Sequence, residues 1–206
     1  MKSGWLVLAV AAVTAAGVAR AEITAEPIKA STLHELAPIA LQMIQEKFPQ
    51  PPVKVDPNLE KVVGYHVHEI IAVVGMPDKA LTGKIVDEAG DKDVPVGIMA
   101  TRSLGPLAKD TTISADKLAV VDINGTVKIP IFFMAVKGKG EERNLELYSK
   151  DGNAIGSAPL KKVTGDASVP LGIKMTNIND EKKQVDLVFT LSGAYEGTLK
   201  MGFLDL

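Results

Sequence analysis

Residues 90–101 read GDKDVPVGIMAT and residues 165–176 read GDASVPLGIKMT, so seven of twelve positions agree at a spacing of 75. A second pair keeps the same order: GTVKIPIF at 125–132 precedes GTLKMGFL at 197–204 by 72 residues, with Gly, Thr and Lys identical and the apolar places kept apolar. Two anchors at nearly one offset mark a duplication of about 70 residues. Within it, the V-P-x-G-I core sets a proline, which cannot donate to a sheet ladder, beside a glycine, which bends or bulges a strand. Each copy therefore reads as a strand that turns a corner in a small antiparallel sheet.

The surroundings agree. From residue 59 to 206 the chain consists of short runs rich in Val, Ile and Leu, broken by Gly, Asp, Asn and Pro, the pattern of strands and tight turns. YSKDGNAIG at 148–156 carries an Asp-Gly hairpin signal, and TNINDEKKQVDLVFTL at 176–191 is a second hairpin, polar in the middle and alternating afterwards. The expected fold is mainly β: a duplicated antiparallel β-sandwich with repeats at 59–138 and 139–206. The repeats are either tandem immunoglobulin-like sandwiches or halves of one pseudo-symmetric sandwich. A lone unit of about 70 residues without disulfides would be marginal, so close packing of the two is expected.

LTGKIVDEAGDKDVPVGIMA, residues 81–100, resembles the opening strands of carboxypeptidase-regulatory-like β-sandwiches, in which a turn of the form G-x-V-x-D-x-x-G precedes a P-x-G strand. The likeness covers these twenty residues and implies a sandwich.

Ahead of the strands lies one amphipathic helix. STLHELAPIALQMIQEKF at 31–48 places Leu33, Leu36, Ala40, Met43, Ile44 and Phe48 at helical spacing, with Thr32 and Glu35 arranged as a capping box. Pro38 either kinks this helix or opens it. PQPPVKVDPN at 49–58, with four prolines, reads as a stiff extended tether, so residues 22–58 form a helix plus a proline-rich tether. The helix either packs on the sandwich and covers an exposed sheet edge or docks its apolar stripe into a partner.

The first 21 residues, a lysine followed by the apolar run 5–18 and Ala19-Arg20-Ala21, read as a secretory signal peptide cleaved after Ala21. A periplasmic or extracellular location is expected, with no transmembrane segment after cleavage. The chain has no cysteine, so neither disulfides nor a lipid anchor on cysteine can help an exported fold. A formal net charge of −2 provides no basic face and argues against nucleic acid, and 4% aromatics argue against an outer-membrane barrel with its aromatic girdles.

Chemistry-bearing residues are few. GYHVHEIIAVVG at 64–75 holds two of the three histidines, and if it is one strand, His66 and His68 share a face. Such a pair could bind zinc or copper, with His34 or Met76 completing the set, although about three or four ligands are needed. Read as structure, the pair is the polar start of a strand that is apolar on both faces toward its end. VDEAGDKD at 86–93 crowds Asp87, Glu88, Asp91 and Asp93 into one turn, read as solvated and not as a calcium loop. Asn124-Gly-Thr fits a glycosylation acceptor. No cysteine, no G-x-S-x-G elbow and no phosphate-cradling glycine loop point to catalysis. The expected role is a non-catalytic binding or structural accessory acting through sheet edges and loops, with a protein partner or cell-envelope component and no cofactor; the rival is a metal-binding protein using His66 and His68.

Overall fold

The structure, a computed structural model, describes residues 24–67, 71–90, 92–108, 111–123, 125 and 127–204. The signal-like segment, His68, Asp91 and Asn124 lie outside the described residues.

In chain order a short strand β1 (Glu26–Pro27) precedes helix α1 (Ala30–Lys47). Strands β2 (Val63–Val67) and β3 (Ile71–Pro77) follow, then a short helix α2 (Gly83–Asp87) and β4 (Val94–Arg102). Next come β5 (Leu104–Ala108), β6 (Thr111–Thr112), β7 (Ala119–Ile123) and β8 (Val127–Lys137). The chain ends with β9 (Asn144–Tyr148), β10 (Ala154–Pro159), β11 (Lys161–Lys162), β12 (Leu171–Asn179), β13 (Gln184–Leu191) and β14 (Tyr195–Phe203).

Two antiparallel sheets result. The first runs β1-β2-β3-β4-β8-β9-β10, with β7 also paired to β8; the second runs β12-β13-β14-β5-β6, with β11 also paired to β14. Their facing sides share one core that includes Val73, Met99, Phe132 and Met134 from the first sheet and Leu171, Ile173, Leu187 and Phe189 from the second. This is a β-sandwich. Both expected hairpins form, β9 with β10 around Gly152 at φ +69° and β12 with β13.

The chain crosses between sheets at Ser103, whose φ is +60°, and the Thr101 hydroxyl pins the corner by donating to the Leu104 carbonyl at 2.7 Å. Earlier in β4, Gly97 does what its pairing with a proline predicts. The ladder to β8 shifts register between Pro95 and Gly97, and a Cβ at Gly97 would lie 2.3 Å from the Met76 carbonyl oxygen. The matched residues of the second copy behave differently. Pro170 precedes β12, and Gly172 sits within that strand in regular register with Thr190. Furthermore, β4 and β8 are direct neighbours, whereas β12 and β14 have β13 between them. Each sheet also takes strands from both sides of residue 138: β9 and β10 extend the first, β5 and β6 the second.

The resemblance at 81–100 meets a difference here. Residues Gly83–Asp87 form α2 and not a strand, because Thr82 accepts a hydrogen bond from the Ile85 amide and caps a helical turn. The sandwich it implied nevertheless stands.

The first sheet is buried on both faces, and α1 is the reason. Ile131, Phe133 and Ala135 of β8 and Met76 of β3 point away from the inter-sheet core and pack with Leu33, Ala37 and Ile44 of α1. The helix begins at Ala30, so Thr32 and Glu35 lie inside it and the expected capping box does not form; Lys29 stands at the N-cap without a side-chain cap. Pro38 sits inside the helix on its solvent side, where the His34 carbonyl, deprived of its amide donor, faces water. The segment after the helix is extended, as its prolines require, yet it is sewn to the sheet. Val53 is buried, the Asp56 amide donates to Asp78 Oδ2 at 2.8 Å, and the Asn58 amide donates to the Pro77 carbonyl at 2.7 Å. Phe48 stacks edge-on against Phe133 with centroids 6.1 Å apart. Thus α1 covers a sheet face, not an edge, and is held from both ends.

Candidate functional site: an apolar cleft under helix α1

Between α1 and the outer face of the first sheet the packing is incomplete. Leu33, Ala37 and Ile44 close on the sheet, but Leu36, Ala40 and Met43, one flank of the same helix, stand over a cleft of about 270 Å³. Its floor is Val74 and Met76 from β3, Ala100 from β4 and Ile131 from β8. The far wall is the hairpin of β7 and β8, with Val121, Ile123 and Ile129, and Ile28 closes the end beside β1.

The described lining residues expose no polar atom to the cleft. Three of the five large hydrophobic side chains exposed among the described residues sit on its rim: Leu36 at 57%, Ile39 at 58% and Ile123 at 36%. Scattered exposed leucines are ordinary; three around one apolar cleft mark a place prepared for contact. Among the described residues, no titratable side chain lines the cleft.

The strongest polar cluster lies elsewhere. Arg143 is only 6% exposed, and its guanidinium donates from Nη1 to the Tyr195 hydroxyl oxygen at 2.8 Å and from Nη2 to the Asp87 carbonyl at 2.9 Å. The Tyr195 hydroxyl in turn donates to Asp87 Oδ1, which also pairs with Lys162 Nζ at 3.1 Å. The hydrogen bond from Tyr195, then that from Lys162, holds the Asp87 carboxyl below the ordinary carboxylate value, and burial first, then Asp87, pushes the Tyr195 phenol up. These bonds clasp α2, β11, β14 and the residue just before β9 together. Asp93, at the other end of the acidic turn, accepts from the Tyr148 hydroxyl at 3.1 Å. The turn's described carboxylates, Asp87, Glu88 and Asp93, are all exposed as the sequence reading expects, and Asp87 and Asp93 also accept hydrogen bonds from separate protein donors.

Of the three histidines, His34 and His66 fall among the described residues. Residues 64–75 are not one strand but two, with Val67 opposite Ile71; His66 lies in the first, and His68 lies outside the described residues. Residues 68–70, His-Glu-Ile, contain none of the glycine, proline or asparagine that signals a reversal, which is why the hairpin was not legible. His66 is half-buried in β2, opposite Glu26 on one side and Ala72 on the other. His34 is exposed on α1. Met76 is fully buried in the cleft floor, four residues along β3 from Ala72, a run of about 13 Å that puts it out of reach of an ion on His66. Among the described residues no three His, Cys, Asp or Glu side chains gather as a metal site.

The cleft itself had a signal in the sequence. The helix carries apolar residues at 33, 36, 37, 39, 40, 43 and 44, more than one buried stripe needs, and the strands IAVVGMP and VKIPIFFMAVK are apolar on both faces. No family model matches this chain, and no curated protein or solved structure matches it.

Proposed function

We propose that this chain is an exported, non-catalytic binding protein that holds an apolar group in the cleft between α1 and the first sheet. The carrying observation is a concave surface whose exposed lining atoms are all apolar, rimmed by Leu36, Ile39 and Ile123. Apolar concave sites on a rigid scaffold are the usual form of small-ligand sites, and the cleft here is a more specific contact surface than the sheet edges and loops expected from sequence. Export is supported by the lysine, apolar run and Ala-Arg-Ala of residues 1–21. No helix among the described residues is long and apolar enough to cross a membrane.

An environment-sensitive apolar dye tests the reading. The folded protein is expected to bind it in a saturable way, and Leu36→Asp, on the exposed rim, is expected to weaken binding at least tenfold with little change in melting temperature. Equal dye binding by both proteins, or none by either, would remove the cleft as the site.

A further inference from the structure

The lining narrows the kind of group the cleft can take. A peptide main chain, a sugar or a nucleotide entering it would leave water with donors and acceptors that Leu36, Met43, Met76 or Ile129 cannot satisfy. A second copy of the chain is disfavoured by area. Stable interfaces engage about 800 Å² and 20–30 residues per side, whereas here three exposed apolar residues are flanked on α1 by the exposed polar residues His34, Glu35, Gln42 and Glu46.

Shape narrows it further. The helical residues that line the cleft run from Leu33 to Ile44, about 16 Å along the axis at the α-helical rise. The apolar lining therefore follows the helix as a continuous run over that length. Resting on the binding reading above, we infer that the cleft takes one linear alkyl chain of an amphiphile, laid along α1, with the polar head left in water at the rim.

The experiment uses two series of single-chain amphiphiles, alkyl sulfates and alkyl maltosides of six to fourteen carbons, kept below their micelle concentrations and read by displacement of the apolar dye. Affinity is expected to rise about fourfold for each added methylene until the chain spans the cleft, then to level off, with parallel curves for the two heads. Ala100→Leu, which raises the floor, is expected to bring the plateau on at a shorter chain; Leu36→Ala, on the exposed wall, is expected to weaken long chains several-fold while the fold stays intact. A protein that binds the dye but shows no dependence on chain length, or binds compact aromatics as well as long chains, overturns the alkyl reading and leaves the binding reading standing. Failure to take the dye at all overturns both. A dimer that Leu36→Glu dissociates overturns the alkyl reading in favour of a second copy.

Discussion

At the scale of single residues the fold is tied by a few polar contacts that a composition cannot reveal. Asp87 is one. In the folded chain it holds its proton less tightly than in the unfolded one, because Tyr195 and Lys162 bond its ionised form. Its contribution to stability is therefore complete above the ordinary carboxylate value near pH 4 and is lost as pH falls through the lowered folded value. Asp87→Asn removes that contribution at every pH, so the variant is expected to unfold at lower urea than the parent at pH 7 and to differ less from it near pH 3. A parallel decline of both midpoints with pH would contradict the clasp. The acidic turn was visible in the sequence, but its partners Arg143 and Tyr195 stand 56 and 108 residues away, and spacing gives no hint of such a meeting.

At the scale of elements, propensity and period carried the strands and the helix, and missed what depended on tertiary packing. The V-P-x-G-I stretch was read as a bent strand, and Gly97 indeed sits at a bulge where only a glycine fits against the Met76 carbonyl. The antiparallel pairing of β2 with β3 is not legible in the sequence because no glycine, proline or asparagine stands between Val67 and Ile71 to signal it. Helix α1 runs through Pro38 although a proline there forgoes an internal hydrogen bond, which packing of Leu33, Ala37 and Ile44 on the sheet must offset. Pro38→Ala, exposed and outside the cleft, is expected to raise stability by about 1–3 kcal/mol, measurable as a shift of the urea midpoint at constant slope. A loss of stability would mean that the proline shapes the helix for its seat.

At the scale of the whole molecule the two sheets are distinguishable by sequence pattern. The second alternates, as in QVDLVFTL of β13, because one side meets the core and the other meets water. The first is apolar on both sides along β3 and β8 because the sandwich core lies on one face and α1 on the other. That doubly apolar pattern was seen in residues 64–75 but read as a central strand alone, since nothing in one sequence says which element will supply the second cover. The internal match at 90–101 and 165–176 predicted the strand content correctly, while the matched strands hold unlike places in their sheets. Since β9 and β10 join the first sheet and β5 and β6 the second, residues 59–138 and 139–206 expressed apart are each expected to lack a cooperative melt, and mixing them to restore one. Two independently folded halves would refute the single shared core.

The seating of α1 also sets an order of events. The helix leaves the ribosome, and would leave any export channel, well before the strands that receive it: about 90 residues separate its buried positions from Ile131 and Phe133 of β8. Until β8 arrives, the face that α1 covers lacks Ile131 and Phe133, and the wide apolar flank of the helix is open to whatever is nearby. A helix placed near the start of the chain is thus fully seated only by a strand made much later, and the cleft is complete only when β7 and β8 supply its far wall and part of its floor.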